Sequence, residues 1–531
     1  MTDPVLRLTD LVVRYPQAEG PTLDGLNLEL RAGETLALVG PSGCGKSTVA
    51  RAALQLLPAG SVCAGGLLLG GSDPRLLSRP ALRRLRGEAV GLVFQDPMTR
   101  LNPLLTVGAH LTDTLQAHRP RWRRPQLRAR ALDLLARVGI TAERFGSYPH
   151  EFSGGMRQRL AIALAMALRP PLVIADEPTT SLDVAVAGQV MAELSDLCRE
   201  VGSALLLISH DLAMAGRWCD QIAVLDQGRL IEQAPARQLL LTPRSPLAQR
   251  LVARAREREA SGGPPPQQQE PLLEIDALRC WHPLPSPPWR PRFLKAVDGV
   301  SLQVHRGETV GIVGASGCGK STLCRALMGL TPVRGGAVRL NGVDLQQLRG
   351  ASLRQARRGL QMVFQDPLAC LNPQMRVGDA VADPLRIHGL ASRAEARQRA
   401  RALLDAVGLT PPEAFEQRLP RQLSGGQQQR VAIARALILE PQLLLCDESV
   451  SMLDAEVQAD VLALLRRLQE RLGLGMLFVT HDLAVAGGFC HRVLVLEGGQ
   501  VVEEGPGREL LRHPQAAITR ALVEACPRLP E

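Results

Sequence analysis

Aromatic residues are scarce in this chain, with Phe, Trp and Tyr together making up 3% of its 531 residues. Core packing must therefore come from aliphatic side chains, which is typical of α/β folds with buried parallel strands. The eleven cysteines include no CxxC pair. This excludes a disulfide framework and the usual spacing of a zinc site, and it indicates a reducing compartment.

Long apolar runs are also missing. No segment approaches the roughly 20 apolar residues that a membrane-spanning helix needs. The longest candidates, such as ALLLI at residues 204–208, have the length of a buried strand. The opening MTDPVLRLTD lacks the features of a secretory signal, so none is expected. We do not expect the chain to form a membrane pore alone.

The charge is unbalanced, with a formal net charge of +10. Arginine is concentrated at residues 118–138, HRPRWRRPQLRARALDLLARV. The simplest interpretation of this run is a solvated helical face, and contact with anionic lipid headgroups is the alternative.

Five sequence blocks occur twice, in the same order and at nearly constant spacing, so the chain consists of two homologous halves. The blocks start at Gly40, Gly91, Phe152, Val173 and Leu207, and they recur at Gly314, Gln361, Leu423, Leu444 and Phe478. The segment ASGGPPPQQQEP is rich in Gly, Pro and Gln and predicts a linker. We therefore expect a first domain at 1–255, a linker at 256–271 and a second domain at 272–531.

Apolar, strand-like runs in each half end in Gly, in an acidic pair or in His, and the Gly-terminated runs lead into helix-like stretches. Polar groups at the carboxyl ends of such strands favour an α/β fold whose parallel sheet binds ligands at those ends.

Two glycine-rich loops, GPSGCGKST and GASGCGKST, follow strand-like runs and precede helices, which is a strong signal for phosphate binding. Their backbone N–H groups and the helix N-terminus attract phosphate. Lys46 and Lys320 should reach the β- and γ-phosphates, and Ser47 and Ser321 should help hold Mg²⁺. The predicted ATP-binding residues of the two loops are Gly40, Ser42, Gly43, Gly45, Lys46, Ser47, Thr48, Gly314, Ser316, Gly317, Gly319, Lys320, Ser321 and Thr322.

The sequences ADE and CDE end two other apolar runs. Asp176 and Asp447 are placed to hold Mg²⁺. Glu177 and Glu448 are then the predicted general bases that polarise the attacking water. A solvated turn is the alternative for such a pair, but the apolar run before each one disfavours it.

Strand-end histidines and loop glutamines complete the predicted chemistry of each half. His210 and His481 are expected to contact the γ-phosphate, although a structural histidine is the simpler alternative. Gln95 and Gln365 could sense the γ-phosphate through Mg²⁺ or the attacking water, or be ordinary polar loop residues.

The cysteines of the phosphate loops, Cys44 and Cys318, allow two interpretations. Each is either a small tolerated residue or a reactive thiol whose pKa is lowered near a helix N-terminus.

SGGM at 153–156 and SGGQ at 424–427 are each expected to begin a helix, with Ser as the N-cap. The two glycines expose backbone N–H groups, which predicts a second anion-binding site besides the phosphate loop. The predicted contacts are Ser153, Gly154, Gly155, Ser424, Gly425, Gly426 and Gln427.

FSGGMRQR and LSGGQQQR resemble the signature of ABC-type ATPase domains, and SLD at 181–183 and MLD at 452–454 resemble the D-loop of that family. The resemblance implies two tandem P-loop NTPase domains, each with a mostly parallel sheet core, an antiparallel β subdomain and a helical subdomain. It also implies ATP and Mg²⁺ as ligands. The halves would pair head to tail, so that Ser424 and Gly426 close over ATP at Lys46, and Ser153 and Gly155 over ATP at Lys320.

FQDPMTRLNP, FQDPLACLNP and YPHEFSGGMRQR resemble the oligopeptide, dipeptide and nickel importer branch. This implies an ATP-hydrolysing subunit of an importer for short peptides, with nickel or a metal chelate as the alternative cargo. It would lie on the cytoplasmic face of the inner membrane, with membrane-spanning permease subunits docked around Gln95 and Gln365, and an extracytoplasmic substrate-binding protein. A soluble tandem ATPase acting on ribosomes is the alternative of another class; such proteins usually carry a long charged linker, whereas this linker is short and rich in Pro and Gln. No nucleic acid is expected.

The family usually stacks an aromatic residue on adenine near the first strand. Tyr15 fits this role in the first half. In the second half His282 aligns with it, and Trp281 beside it is the alternative. The chain ends with Cys526 alone in its last segment, so no iron–sulfur cluster is expected.

Overall fold

The computed structural model describes residues 3–16, 18–95, 100–180, 182–260, 270–284, 286, 289–290, 292–451, 453 and 455–530. These residues form two compact units, one within 1–255 together with 527–531 and the other within 256–526. No helix in the described ranges is both long enough and apolar enough to span a membrane.

The first unit alternates strands and helices. Its strands are β1 (Leu6–Arg14), β2 (Leu23–Leu30), β3 (Thr35–Val39), β4 (Val62–Leu69), β5 (Val90–Val93), β6 (Leu172–Asp176), β7 (Ala204–Ile208), β8 (Gln221–Asp226) and β9 (Arg229–Pro235). Its helices are α1 (Lys46–Ala53), α2 (Arg79–Glu88), α3 (Val107–His118), α4 (Arg124–Arg137), α5 (Gly154–Ala165), α6 (Val184–Val201), α7 (Leu212–Trp218) and α8 (Ala236–Leu241), followed by α9 (Pro246–Ala260).

The central sheet of this unit has the strand order β5-β6-β7-β3-β8-β9. Its first five strands run parallel, and β9 pairs antiparallel with β8. Strand β7 is buried at every position, as expected for a parallel sheet covered on both faces. The carboxyl ends of β3, β6 and β7 lead directly to Gly40, Asp176 and His210, so parallel pairing brings these three motifs to one edge of the sheet.

A second, antiparallel sheet has the order β2-β1-β4. Helices α3, α4 and α5 form the helical part of the unit. The expected fold class is thus confirmed for this half: a mostly parallel core, an antiparallel β subdomain and a helical subdomain.

Strand alternation divides the core of the first unit into two layers. On β3, Ala37 and Val39 belong to the cluster that includes buried residues of α3 to α6. Leu36 and Leu38 belong to the cluster that includes the β1-β2-β4 sheet and helix α1. Because β3 leads into the phosphate loop and α1 follows it, packing on both faces fixes the position of that loop.

The second unit repeats this order. Its strands are β10 (Leu273–Leu284), β11 (Arg292–Val304), β12 (Thr309–Val313), β13 (Gly335–Leu340), β14 (Val343–Asp344), β15 (Leu360–Val363), β16 (Leu443–Asp447), β17 (Gly475–Val479), β18 (Arg492–Glu497) and β19 (Gln500–Pro506). Its helices are α10 (Lys320–Leu327), α11 (Gly350–Ala356), α12 (Pro367–Cys370), α13 (Val377–Ile387), α14 (Arg393–Ala406), α15 (Pro412–Glu416), α16 (Gly425–Leu437), α17 (Ala455–Leu472), α18 (Leu483–Phe489), α19 (Gly507–Arg512) and α20 (Ala517–Ala525).

The main sheet of the second unit has the same topology, with the order β15-β16-β17-β12-β18-β19. Its antiparallel sheet has the order β11-β10-β13-β14, in which the short β14 is an additional strand at the edge. Strand β19 is again the antiparallel edge strand. The fold class expected for the second half is therefore confirmed as well.

Candidate functional site

Each phosphate loop depends on glycine where the chain passes close to neighbouring backbone. Gly45 is the N-cap of α1 and has a φ of 107°, which lies in the region that favours glycine. A Cβ atom on Gly40 would clash with the carbonyl oxygen of Leu225 at the end of β8. In the second unit, a Cβ atom on Gly319 would clash with the carbonyl of Ala296. The loops therefore require these glycines for steric reasons.

The lysine of each loop lies inside the loop rather than in solvent. Lys46 Nζ donates hydrogen bonds to the carbonyl oxygens of Gly40, at 2.7 Å, and of Pro41, at 2.9 Å. Lys320 Nζ donates to Gly314 at 2.7 Å and to Ala315 at 3.0 Å. A buried ammonium held by carbonyl groups can exchange these partners for phosphate oxygens, which are stronger acceptors because they are charged.

A serine and an aspartate meet where α1 begins and β6 ends. Ser47 Oγ donates to Asp176 Oδ1 at 2.9 Å, and Ser321 Oγ donates to Asp447 Oδ1 at the same distance. Burial raises the pKa of both aspartates, partly offset by these serine bonds. A hydroxyl and a carboxylate side by side supply the oxygen ligands that Mg²⁺ prefers, and a cation would favour the ionised carboxylate.

The glutamate after each of these aspartates is held in an uncommon backbone conformation. Glu177 and Glu448 both have a φ of 47°. The amide of Glu177 donates to the carbonyl of Ile208 at 2.9 Å, and that of Glu448 donates to Val479 at 3.0 Å. Strain of this kind is found where the surrounding structure fixes it, often at functional sites.

A glutamine and a histidine converge on each glutamate. Gln95 Nε2 donates to Glu177 Oε2 at 2.9 Å, and His210 Nδ1 lies 3.3 Å from Glu177 Oε1. The strand-end residues of β5, β6 and β7 thus meet at one carboxylate.

The second unit brings the equivalent residues together. Gln365 Nε2 donates to Glu448 Oε2 at 2.8 Å, and His481 Nδ1 lies 3.6 Å from the same oxygen. The predicted roles of these residues in catalysis stay predictions, but their proximity across separate strands is a property of the fold.

The histidine and glutamate of the first unit perturb each other's protonation. Burial alone would lower the pKa of His210, but the hydrogen bond and negative charge of Glu177 raise it overall. Burial alone would raise the pKa of Glu177, but its bond to His210 lowers it overall. The imidazolium and the carboxylate therefore stabilise each other. Asp211 caps helix α7 by accepting from Ala213 and Met214, which fixes the backbone next to His210.

Thr180 also contacts Glu177, although no motif indicated it. Its Oγ1 donates to Glu177 Oε2 at 3.0 Å. The sequence signal was only its position three residues after the glutamate, within a turn.

The SGG motifs cap helices as predicted. Ser153 Oγ accepts from the amide of Met156 at 3.4 Å, and Ser424 Oγ accepts from the amide of Gln427 at 3.4 Å. In α16 the two residues also bond in the reverse direction, since the Ser424 amide donates to Gln427 Oε1 at 3.0 Å. Among the described contacts, α5 has no equivalent of this second bond. Methionine cannot supply that acceptor in α5.

The inner glycine of each motif faces a neighbouring helix. Cβ atoms on Gly155 and Gly426 would clash with Val186 on α6 and Val457 on α17, respectively. Gly154 and Gly425 are exposed. The D-loop positions Ser181, Met452 and Asp454 lie outside the described residues, whereas Asp183 caps α6 by accepting from Val186 N at 3.0 Å.

Tyr15 lies beside the first phosphate loop, with its hydroxyl 3.2 Å from Thr48 Oγ1. It follows Leu11 and Val13 on the buried face of β1. This is the surface on which an adenine ring above the loop would be expected.

In the second unit, the two candidates for the adenine contact lie next to each other near the end of β10. Trp281 donates its indole N–H to Asp298 at 3.2 Å and lies under the Lys295 ammonium, so its ring already has partners. His282 continues the face of the buried Cys280, as Tyr15 continues that of Val13. Both His282 and Trp281 are half-buried, and the choice between them as the adenine contact stays a prediction.

The hypothesis of a lowered pKa for the loop cysteines is wrong. Cys44 and Cys318 are buried, and burial raises the pKa of both thiols even though Lys46 and Lys320 lie nearby. Desolvation of the thiolate exceeds the attraction of the lysine and of the helix N-terminus. A small, tolerated residue is the interpretation that fits.

The motifs and their spatial order agree with one family. The family model described as ABC transporter matches residues 23–180 and again residues 297–451. The chain belongs to the ABC transporter family. This ABC ATPase carries two copies of the ATP-binding domain, and the expected coupling of ATP hydrolysis to transport is confirmed.

Curated relatives match almost the whole ABC chain. A peptidoglycan transport ATP-binding protein YejF from Agrobacterium fabrum is 39% identical over 99% of this chain and 96% of its own length. An ABC transporter ATP-binding protein YejF from Escherichia coli is 40% identical, covering 98% of this chain and 99% of that protein. A glutathione import ATP-binding protein GsiA from Pectobacterium atrosepticum is 37% identical, covering 98% and 89%.

Proposed function

We propose that this chain is the ATP-hydrolysing subunit of an importer for short peptides and that both of its units hydrolyse ATP. One observation carries the proposal of two working sites: each unit brings a glutamine, a glutamate and a histidine together beside a serine–aspartate pair. We define the first site by Lys46, Asp176 and Glu177. The second site has Lys320, Asp447 and Glu448.

The relatives support import of peptides. One is named for glutathione import and another for peptidoglycan transport; glutathione is a tripeptide, and peptidoglycan contains short peptides. None of these three names mentions nickel or ribosomes, so they favour neither a metal-chelate importer nor a ribosome-associated ATPase. The proposed domains span 1–255 and 272–531, joined by a linker whose residues 261–269 lie outside the described part of the chain.

The side chains of the first site suit a magnesium nucleotide. Ser47 and Asp176 would hold Mg²⁺, with Gln95 as a further ligand. When bound, the ion neutralises charge on the phosphates and fixes their geometry. Lys46 and the N–H groups of its loop bind the phosphate oxygens and withdraw negative charge from the leaving group.

Glu177 is the proposed general base. It accepts a proton from the attacking water while the water oxygen bonds to the γ-phosphorus, and the bond from that phosphorus to the bridging oxygen of ADP breaks. His210 holds the carboxylate and contacts the γ-phosphate. Glu448 and His481 do the same in the second site.

Each site is completed by the other half in this proposal. Ser424 and Gly426 close over ATP at the first site, and Ser153 and Gly155 close over ATP at the second. The exposed serine caps and glycine N–H groups of α5 and α16 offer anion contacts suited to this role. Fusion in one chain gives the two halves a high effective concentration.

The proposed role in import implies two kinds of partner protein, permease subunits and a substrate-binding protein. Membrane-spanning permease subunits would dock around Gln95 and Gln365, each of which donates a hydrogen bond to the glutamate of its site. The chain would then lie peripherally on the cytoplasmic face of the inner membrane, and cargo would arrive from an extracytoplasmic binding protein. No contact with nucleic acid is proposed.

Phosphate release by the purified chain tests the two sites. Glu177→Gln and Glu448→Gln should each impair ATP turnover and lengthen the lifetime of the ATP-bound state, because the amide cannot accept the proton. Turnover at the parental rate in either variant would contradict the proposal of two working sites.

Cargo is tested separately, by ATP-dependent uptake of labelled dipeptides and tripeptides into vesicles that carry the chain with its permease subunits. Uptake of nickel chelates but not of peptides would replace the peptide proposal with its alternative. Recovery from cells with ribosomes, and never with membrane proteins, would overturn import altogether.

A further inference from the structure

The arginine-rich run at residues 118–138 divides into two groups according to the contacts of its side chains. In one group the guanidinium contacts an acid or an aromatic ring of the same unit. Arg119 Nη1 lies 2.5 Å from Glu88 Oε1, for example, and Arg137 Nη1 lies 2.7 Å from Glu200 Oε1. The members of this group are Arg119, Arg128, Arg130 and Arg137. Their charges are compensated within the unit, which fits a solvated helical face.

The other group consists of Arg121, Arg123 and Arg124, which lie in the connection between α3 and α4 and at the start of α4. All three are exposed. Their side chains make no ion pair and no ring contact with the described part of the chain. The sequence has no acidic residue between Asp113 and Asp133. Three positive charges within four residues are therefore left without local compensation.

The backbone that carries these three arginines is well fixed. The Trp122 amide donates to the carbonyl of Arg119 at 3.0 Å, and Gln116 Nε2 donates to the carbonyl of Pro120 at 3.2 Å. Trp122 is half-buried and packs against the core of the first unit. The turn therefore presents its guanidinium groups from one defined position on the surface.

The corresponding connection of the second unit, between α13 and α14, has favourable helix-capping chemistry. Ser392 caps α14 by accepting from the amide of Glu395 at 3.3 Å, and Glu395 lies in the first turn. In the first unit, Arg123 occupies the N-cap and Arg124 the first helical position, with no acid in the first turn. Positive charge beside the positive end of a helix is unfavourable. The fold thus does not require these arginines, and a bound anion would offset their repulsion.

The surface around these arginines indicates the class of anion. None of the residues 119–126, all of which are described, is an exposed large apolar side chain. Protein interfaces usually have an apolar core, and single-stranded nucleic acid is usually held by exposed aromatic rings. A bilayer of acidic phospholipids needs only positive charge, and each arginine near it adds to the attraction. The chain also belongs to a family of membrane transporters.

We propose that Arg121, Arg123 and Arg124 form a membrane contact of the first unit, which binds the headgroups of acidic phospholipids. The equivalent segment of the second unit, residues 389–394, contains Arg393 as its single charged residue. The contact therefore belongs to one half of the chain. This inference goes beyond the proposed function, because it depends on neither the cargo nor the hydrolysis of ATP.

Cosedimentation of the full chain with vesicles tests the proposal. The chain should bind vesicles of phosphatidylcholine mixed with phosphatidylglycerol, and added salt should weaken the binding. It should not bind vesicles of phosphatidylcholine alone. Each arginine near such a surface contributes roughly fivefold in affinity, so Arg121→Gln, Arg123→Gln and Arg124→Gln together should weaken binding about a hundredfold.

A matched control removes the same charge from exposed positions of the second unit. It combines Arg393→Gln, Arg467→Gln and Arg471→Gln, and Arg393 begins α14 as Arg124 begins α4. Its affinity for the acidic vesicles should stay within about twofold of that of the parental chain. ATP binding without vesicles should be unchanged in both triple variants, which shows that both are folded.

Three results would overturn the inference: a parental chain that does not bind acidic vesicles, an unchanged affinity in the first triple variant, or equal losses in the two triple variants. Single-stranded RNA is the competing polyanion. If the first triple variant binds RNA more weakly but vesicles as before, the surface binds nucleic acid and the lipid proposal fails. None of these measurements involves peptide uptake or ATP turnover, so their failure is distinct from failure of the proposed function.

Discussion

Replacing Gly426 with alanine tests how closely helix α16 packs against helix α17. A Cβ atom at this position would clash with Val457 Cγ1. Its neighbour Gly425 provides a matched control, because a Cβ atom there would lie 3.9 Å from Leu453 Cδ2, an ordinary contact distance. The two substitutions are chemically identical and differ only in the helix face that they change.

The expected magnitude comes from two opposing effects. Overpacking a tight contact costs about 1–3 kcal/mol. Replacing glycine by alanine inside a helix gains about 0.5–1 kcal/mol. Gly426→Ala should therefore destabilise the second unit by about 1 kcal/mol, within a range of about 0–2.5 kcal/mol. For a unit of this size, a loss of about 1 kcal/mol lowers the Tm by about 2–4 °C. Gly425→Ala should not lower it.

Differential scanning calorimetry of the full chain measures this effect. The transition of the second unit is identified with Leu445→Ala, since Leu445 is fully buried in β16. Val457→Ala removes the clashing methyl group, so it should largely cancel the loss in the double variant with Gly426→Ala. An unchanged Tm in Gly426→Ala, or no recovery in the double variant, would refute the packing argument.

Three further predictions follow from particular contacts. Gln427→Met removes the acceptor of the Ser424 amide and should lower the free energy of unfolding by about 0.5–1.5 kcal/mol, whereas Met156→Gln should add a similar bond in α5 and raise it. Calorimetry of both variants measures the two changes, and Tm shifts of the same sign and size would contradict the argument. Because burial raises the pKa of Cys44 and Cys318, both should react with iodoacetamide more slowly than a free thiol at pH 8, and the rate should increase as pH rises. Mass spectrometry of labelled peptides measures these rates, and faster labelling than that of a free thiol would contradict the prediction. Ser47→Ala should weaken ATP binding more with Mg²⁺ present than with EDTA, because the hydroxyl beside Asp176 is a metal ligand in the proposal; titration calorimetry would show equal losses if it is not.

The sequence was most informative where the physical cause is local. The strands that end at Asp176 and Asp447 were predictable because a fully buried parallel strand is a short apolar run. The phosphate loops were predictable because close backbone approach at Gly40 and Gly314 tolerates no side chain. In these cases a few adjacent residues are sufficient to determine the conformation.

Prediction failed where the outcome depends on distant neighbours. The helix N-terminus and Lys46 both favour a Cys44 thiolate, and both can be read from the motif. The desolvation that outweighs them arises from burial in the core beneath the loop, which the motif does not encode. Thr180 was overlooked for a similar reason, since its acceptor depends on a side-chain rotamer and not on spacing.

The duplicated halves show where the two sites can differ. The lysine bonds to the first loop carbonyl are 2.7 Å in both units, and the serine–aspartate bonds are 2.9 Å in both. Groups that would bind phosphate and metal are thus geometrically equal. The differences lie at the bond from Thr180 or Ser451 and at the distance from histidine to glutamate, 3.3 Å for His210 and 3.6 Å for His481. Because the groups that would meet the phosphates and the metal are alike in the two units, we expect the two sites to bind the phosphates of ATP alike.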